Sequence, residues 1–322
     1  MSELPPVSII IPNFNGATLL RNNLPSVLHA LECYPGGGHV IVVDDGSVDD
    51  SVQVVSRQFP QVQLEKHPTN LGFAEAIHSG VVAAESDALV FLNSDVRPEP
   101  NFIEPLIRCL NEDGVFSVQS AIREESGNIH PYCLTRFRFR LGALKRPKTL
   151  DLGRQPWWCL YASGGSMAVD KTKFNALGGF LPIFKPFYWE DFDLGVRAWR
   201  RGWRTLLEPT SIVLHQERGS IQDNVKRQRV RRALQRNKLL AEWIHFPAST
   251  LAVFMLPRLI LRMLTRTLVG DFGIWAALFG ALGQVPEVLA IRRSINKTAK
   301  LNFREVLRGI EEENARHGQK SS

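Results

Sequence analysis

Val7-Ser8-Ile9-Ile10-Ile11-Pro12-Asn13-Phe14-Asn15-Gly16 and His39-Val40-Ile41-Val42-Val43-Asp44-Asp45-Gly46-Ser47 share one pattern, a short apolar run cut off by an abrupt polar turn. Such a run suits a fully buried strand, and the Pro, Asn, Asp and Gly residues behind it stop the strand. Between the two, Ala17 to Leu31 reads as a helix that ends before the turn Pro35-Gly36-Gly37-Gly38. The rhythm continues with a strand over Val62 to Lys66, a helix from Phe73 to Ala84 and a strand from Ala88 to Leu92. Asp49 and Ser51 sit where a helix N-terminus favours them. Strands alternating with helices predict an α/β fold, a mostly parallel central sheet with helices on both faces.

After about Pro105 the rhythm changes. Short mixed segments and the basic-aromatic stretch Arg136-Phe137-Arg138-Phe139-Arg140 interrupt the alternation. A helix is predicted over Glu190 to Arg201, short strands over Trp203 to Leu207 and Ile212 to Leu214, and mostly helix from about Asp223. The expected organisation is a first half (1–105), a second half sharing the same fold (106–222) and a helical region (223–322). The polar tail from about Gly309 is expected to fray and then disorder.

The 322 residues are enough to bury a substantial core, and 44% hydrophobic with 22% charged residues is ordinary for a globular protein. The net charge of +7 is placed unevenly, with arginines crowding Lys226 to Lys238. A basic segment of that kind attracts phosphate, whether in nucleic acid, an anionic membrane or a pyrophosphate-bearing substrate. Cys33, Cys109, Cys133 and Cys159 form no CxxC pair and read as buried, reduced thiols. Met1 to Pro6 lacks the basic and apolar regions of a secretory signal, so a cytoplasmic location is expected.

An open α/β sheet binds its ligand at the C-terminal ends of its strands. The loops there carry Pro12-Asn13-Phe14-Asn15-Gly16, Asp44-Asp45-Gly46-Ser47, Asn70-Leu71-Gly72 and Asn93-Ser94-Asp95. Any one of these could be a plain turn former; together they bring acids, Asn and Gly to one edge. That set suits a nucleoside diphosphate bound through a metal. Asp44 or Asp45 can accept hydrogen bonds from base or ribose, and Asp95 can ligate Mg2+ or Mn2+. The chain has no GxGxxG after its first strand and no GxxxxGK[ST], which argues against a dinucleotide enzyme or a P-loop NTPase. A second cluster, Phe187-Tyr188-Trp189-Glu190-Asp191-Phe192-Asp193, puts carboxylates behind an aromatic run. They either cap the helix that follows or face a cleft as a general base for an acceptor hydroxyl. His215, after a short apolar strand, is either structural or a metal or phosphate partner.

Taken together, Val7–Gly16, Val42–Ser51, Asn70–Gly72, Phe91–Asp95, Gly164–Val169, Tyr188–Gly202 and His215–Ser220 resemble the family 2 glycosyltransferases of GT-A fold. Leu92-Asn93-Ser94-Asp95-Val96 looks like the metal motif of bacterial rhamnosyltransferase-like members. The resemblance implies a nucleoside pocket lined by Pro12, Phe14 and Asp45 with Asp44 beside them, and donor contacts from Asn15, Asn70, Gly72, Asn93 and Ser94. It implies Asp95 as metal ligand, His215 near the diphosphate, Asp191 as catalytic base with Glu190 its neighbour, and Gly164-Gly165-Ser166 as the floor between donor and acceptor. The expected partners are a nucleotide-sugar donor and a glycan or lipid-linked acceptor of bacterial surface polysaccharide. Transfer would be a single inverting displacement. Two positions depart from the family pattern: Asn93 stands where an acid is frequent, implying weaker metal affinity, and His78 stands where Asn is common.

Farther on, Phe246 to Leu264 and Leu268 to Ile291 are apolar but broken by Arg258, Arg262, Asp271, Gln284 and Glu287, so neither is an uninterrupted span. Arg258, Arg262 and Arg266 recur every four residues as a basic stripe opposite an apolar face, the pattern of a helix lying on an anionic membrane. A homo-oligomer through these helices, or plain core packing, explains the apolar face as well. Nucleic acid is not expected, because no stacking aromatics accompany the Arg-rich helix. A nucleotide-sugar-binding protein without activity and a nucleotidyltransferase on a similar fold stay as alternatives.

Overall fold

Each apolar run becomes a strand because helices cover the sheet on both sides. The computed structural model describes residues 4–133, 135, 137–140, 143–145, 152–215 and 227–320. The chain begins β1 (Val7–Asn13), α1 (Ala17–Cys33), β2 (Gly38–Asp44), α2 (Ser51–Gln58), β3 (Gln63–Lys66), α3 (Phe73–Ala83) and β4 (Ala88–Leu92). Ile9, Ile11, Val40 and Val42 pack with Leu20, Leu24 and Val27 of α1 on one face. Ile10, Ile41 and Val43 pack with Ala76, Ile77 and Val81 of α3 on the other. Successive strand residues point to opposite faces, so an unbroken apolar run is what a doubly covered strand requires.

The second half adds β5 (Val96–Pro98), α4 (Ile103–Leu110), β6 (Val115–Glu124), β7 (Arg138–Arg140), β8 (Ala143–Lys145), β9 (Trp157–Trp158), β10 (Ser166–Asp170), α5 (Lys171–Leu177), α6 (Glu190–Arg200) and β11 (Arg204–His215). The nine-stranded sheet has the order β3-β2-β1-β4-β10-β6-β11-β5, with β9 on β11, so both halves share one sheet. Strands β1 to β4 run parallel, β10 is antiparallel to β4 and β6, and β6 and β11 are parallel again. The two short strands expected after Trp203 are one strand. Its pairing with β6 shifts register between Glu208 and Ile212, where Pro209 has no N–H to give and Glu208 Oε1 accepts from Thr210 N at 2.8 Å.

The helical region comprises α7 (Arg227–His245), α8 (Ala248–Leu268, with a π-helical turn at Leu251–Met255), α9 (Gly273–Leu282), α10 (Val285–Thr298) and α11 (Phe303–Lys320). Lys226 and residues 216–220 lie outside the described residues, as does Arg136. The tail expected to fray is α11: Asn314, buried, accepts from Trp158 N at 3.0 Å and donates to Trp158 O at 2.8 Å, extending β9's edge. Arg292 of α10 donates to the carbonyls of Trp243, Ile244 and Phe246, closing the C-terminus of α7. Cys109, Cys133 and Cys159 are buried free thiols; Cys33, expected to be buried, is exposed.

Candidate functional site

Strand order reverses at β1, whose neighbours are β2 on one side and β4 on the other. A crevice opens at such a switch point, here between the loops 13–16 and 93–95. Asn23 of α1 ties them by donating to Ser94 O at 2.8 Å. The loop after β2 is held from several sides. Asp44 is buried and internally engaged, accepting from Asn13 Nδ2 at 3.0 Å and Ser47 N at 3.0 Å. Asn15, at φ 51, accepts from Val48 N at 2.9 Å and donates its own N–H to Ser47 Oγ at 2.8 Å. Both residues therefore brace the first loop against the second. Asp49 braces them too: it accepts from Ser51 N at 3.0 Å, as expected of its place before α2, and from Ala17 N, at the start of α1, at 2.9 Å.

Asp45 is the hub. Its Oδ1 accepts from Leu71 N at 2.8 Å and lies 2.7 Å from His67 Nδ1, and its Oδ2 accepts from Gly72 N at 2.8 Å. His67 Nε2 lies 2.8 Å from Ser79 Oγ on α3. Gly46 makes the approach possible: a Cβ there would meet the Thr69 backbone at 2.5 Å, and its φ of 73° excludes most side chains. Sequence reading missed His67 because nothing in the local pattern separates it from any exposed loop histidine.

Between these loops is a cavity of about 420 Å³. Of the donor residues expected from sequence, Pro12, Phe14, Asp45, Asn70, Gly72, Asn93 and Ser94 line it, whereas Asn15, Asp44, Gly164 and Gly165 stand behind or beside it. The structure adds Asn13, Phe73, Ala76, Pro186, Phe187 and Arg229 to the lining. Arg229 is the one cation among the described lining residues, and the signal for it was the arginine crowding at the start of α7. His78, the departure from the family pattern, sits below: its Nε2 lies 3.2 Å from Phe180 O, and its ring lies against Phe174. It ties α3 to the turn after α5.

Asp95 follows Ser94 into the sheet end. Its Oδ1 is buried with no hydrogen-bond partner among the described residues, and its Oδ2 lies 3.8 Å from His215 Nε2. Burial raises the Asp95 carboxyl above its usual range, and His215 opposes the shift. His215, at the end of β11, stacks on His130 with ring centroids 4.5 Å apart. One carboxylate and one imidazole are a donor set that Mn2+ or Mg2+ accepts when phosphate and water complete the shell. No group of three or more His, Cys, Asp or Glu side chains placed to hold a metal occurs among the described residues. The orphaned Asp95 oxygen fits a cation shared with a ligand.

Glu190 and Asp191 begin α6, and no side chain caps that helix. The N-cap position belongs to Trp189, and both Tyr188 (φ 73) and Trp189 (φ 78) are left-handed. Asp191 accepts from Phe192 N at 2.7 Å, and its other oxygen lies 3.5 Å from Gly164 N. Gly165, next along, accepts from Asn93 N at 3.0 Å. A Cβ on Gly164 would meet the Phe73 ring at 3.2 Å. Through Gly164 and Gly165, Asp191 is thus joined to the Asn93–Asp95 loop and to a wall of the cavity. Glu190 is buried, and burial first, then the Asp191 charge, push its carboxyl up to about 8. Asp193 turns away from the cavity into a buried network with Arg197 Nε at 2.7 Å and His245 Nε2 at 2.8 Å.

The chain is 25% identical over 202 residues to the N-acetylglucosaminyl-diphospho-decaprenol L-rhamnosyltransferase of Mycobacterium tuberculosis, covering 55% of this chain and 66% of that one. It is 29% identical over 231 residues to the pre-mycofactocin glycosyltransferase of the same organism, covering 69% of this chain and 45% of the relative. The match thus spans less than two thirds of either relative's length. In fold it resembles a mannosyltransferase from Pyrobaculum calidifontis in complex with GDP-Man and Mn2+, at TM-score 0.56 and 14% identity, covering 98% of this chain and 88% of that one. The family model for glycosyl transferase family 2 matches residues 8–178, more than half of the sequence, and the chain belongs to that family.

Proposed function

We propose that this chain is an inverting, metal-dependent glycosyltransferase that moves a sugar from a nucleoside-diphosphate donor to an acceptor hydroxyl. The observation that carries the reading is convergence: residues from the ends of β1, β2 and β4 and the start of α3 line one cavity, with Asp95 next to the lining residue Ser94 and the Glu190–Asp191 pair at the start of α6, joined to the same loops through Gly164 and Gly165. Asp45, Pro12 and Phe14 would receive the nucleoside, and Arg229 would face the diphosphate. Asp95 and His215 would hold Mg2+ or Mn2+, which supplies positive charge for the departing diphosphate. That the rhamnosyltransferase and mannosyltransferase relatives act on or bind activated sugars supports the same donor class.

In the reaction, Asp191 accepts the proton of the acceptor hydroxyl as that oxygen attacks the anomeric carbon. The bond from that carbon to the diphosphate oxygen breaks, and the electron pair leaves with the nucleoside diphosphate. Glu190 stays protonated near neutral pH, so the adjacent carboxyls do not carry two negative charges in one buried place. The test is release of nucleoside diphosphate from a panel of UDP-, GDP- and dTDP-sugars with Mn2+. Asp191→Asn should abolish release while a donor-induced thermal shift persists. Full turnover in that variant overturns the reading, and binding without turnover in the wild type leaves a nucleotide-sugar-binding protein.

For the acceptor, we infer a lipid-linked glycan presented at an anionic membrane surface. Among the described residues, one helix, Ala248–Leu268, is long and apolar enough to cross a membrane, with mean hydropathy 1.4 and little of it buried. Leu261, Leu264 and Leu268 are 62%, 58% and 86% exposed, and Phe272 and Phe279 continue the apolar surface onto α9. Water leaves few surfaces of that kind bare. The basic stripe behind it is partly engaged: Arg266 reaches Asp271 at 3.0 Å, and Arg258 and Arg262 act on the half-buried Glu242 carboxyl. The excess of positive charge still favours an anionic bilayer over a neutral one. Cosedimentation with phosphatidylglycerol vesicles, lost in Leu261→Asp/Leu264→Asp, tests this. Concentration-dependent dimers abolished by the same variant, without vesicle binding, would assign the face to a second copy instead.

A further inference from the structure

We propose that Asn237 of α7 is a positioning residue for the Glu190–Asp191 pair, so that the helical region outside the family-matched residues 8–178 completes the reaction centre. The inference rests on Asp191 being the base. Asn237 is fully buried. Its Nδ2, with two N–H groups to give, lies within hydrogen-bond distance of three backbone carbonyls of one segment, Phe184 O at 2.5 Å, Phe187 O at 2.9 Å and Tyr188 O at 2.9 Å, so that one N–H is shared between two of them. The orientation of the amide is fixed from its other end, because Oδ1 accepts from Arg236 Nε at 3.0 Å and Nη2 at 2.7 Å. Arg236 also donates to Lys185 O in the same segment. Helix α7 therefore grips the backbone leading into α6 at carbonyls 184, 185, 187 and 188.

What it grips is the strained part of the site. Tyr188 and Trp189 are consecutive residues with side chains and positive φ, immediately before Glu190 and Asp191. Left-handed backbone is disfavoured for such residues and persists only where the surroundings over-determine it. Relaxation of either residue toward negative φ would swing the first turn of α6 and move Asp191 off Gly164. The carbonyls of Phe187 and Tyr188, which Asn237 reaches, belong to the peptide groups on either side of the Tyr188 Cα, so a rotation at Tyr188 has to break one of these contacts. A second contact, His245 to Asp193, fixes the far end of α7 to the same helix, so the grip acts on the turn and not on the docking of α6 as a whole. An asparagine that merely satisfied buried carbonyls would matter to folding alone; one that holds a strained turn matters to the rate.

The experiment compares wild type, Asn237→Ala, Tyr188→Gly and the double variant, using the panel nucleotide sugar that wild type hydrolyses fastest with Mn2+. Glycine adopts the left-handed backbone freely, so it removes what Asn237 is needed to oppose. Asn237→Ala should lower kcat by about tenfold or more with the donor KM within about twofold, the signature of a misplaced group rather than lost ground-state binding. In the Tyr188→Gly background the same substitution should cost about threefold less than in wild type. Equal losses in both backgrounds, a loss expressed in KM, or an unchanged kcat overturns the proposal. If Asn237→Ala does not fold, Arg236→Ala, which frees the amide to flip, takes its place in the cycle. Asp191→Asn is run alongside: its retaining turnover would remove the base and this inference together, whereas an inactive Asp191→Asn beside a fully active Asn237→Ala removes this inference alone.

Discussion

Replacing Glu190 by Gln should flatten the pH dependence of stability in a window the structure defines. The side chain is 8% exposed, its Oε2 has no hydrogen-bond partner among the described residues, and Asp191 lies beside it. Burial first and the Asp191 charge second hold its carboxyl at about 8, against 4.5 for a free glutamic acid. Between those values the folded chain keeps a proton that the unfolded chain has released. Stability contributed by this group is thus fully present below pH 4.5 and is lost as pH rises toward 8. One proton corresponds to about 1.4 kcal/mol per pH unit, so the ceiling over the window is on the order of 5 kcal/mol. Urea unfolding of wild type and Glu190→Gln at about pH 5.5, 6.5 and 7.5 should show wild type losing about 1.4 kcal/mol per unit relative to the variant. Parallel pH curves would mean that Glu190 is ionised in the folded protein, and that no neutral acid stands beside Asp191.

Other perturbations separate donor binding from packing. Asp95→Ala should abolish the part of a UDP- or GDP-induced thermal shift that depends on Mn2+ while leaving the metal-free melting temperature within a few degrees; an unchanged Mn2+ response would place the cation elsewhere. Asp45→Ala frees the Leu71 and Gly72 amides and His67 at once, and at roughly 1.5 kcal/mol for each hydrogen bond to a charged acceptor should cost about 4 to 5 kcal/mol in urea unfolding. Its nucleotide affinity should fall as well, and retention of full affinity would remove Asp45 from the nucleoside pocket. Asp193→Ala leaves the buried Arg197 guanidinium without its carboxylate and should destabilise by about 3 to 5 kcal/mol. A loss below about 1 kcal/mol would show that the carbonyls of Leu177 and Gly179 satisfy Arg197 unaided.

Much of the first half of the fold was legible because a doubly covered parallel strand needs an unbroken apolar run and a parallel connection needs a helix. Those demands act on neighbouring residues, so β1, β2 and β4 and the helices α1 and α3 end within two residues of where the pattern ends. The decorated loops were legible for the same reason, since a polar turn after a buried strand is a local event. Which loop residue faces the ligand was not. Asn15 and Asp44 have the right chemistry for a donor but spend it on Val48, Ser47 and Asn13, while Asp45, one residue further on, lines the cavity. Both carboxylates brace neighbouring loops, but they point in different directions from the turn, and only the arrangement of those loops decides which of them also reaches the cavity.

The second half was less legible because its demands are satisfied at long range. Asn237 serves carbonyls about fifty residues before it, and Asn314 pairs with Trp158, 156 residues away. A side chain that answers backbone groups leaves no periodicity and no complementary residue type, because every residue offers the same carbonyl. That is why α11 read as a fraying polar tail although Asn314 docks it on a sheet edge. It is also why the run Tyr188-Trp189-Glu190-Asp191 gave the identity of the acids and not what holds them. Two left-handed residues with large side chains cannot be stable on local propensity, so their conformation must be imposed from elsewhere in the chain. The donors that impose it sit on a helix whose arginines suggested only an attraction for phosphate. The left-handed turn before α6 and a distant buried amide are therefore one structural unit, and neither can be read without the other.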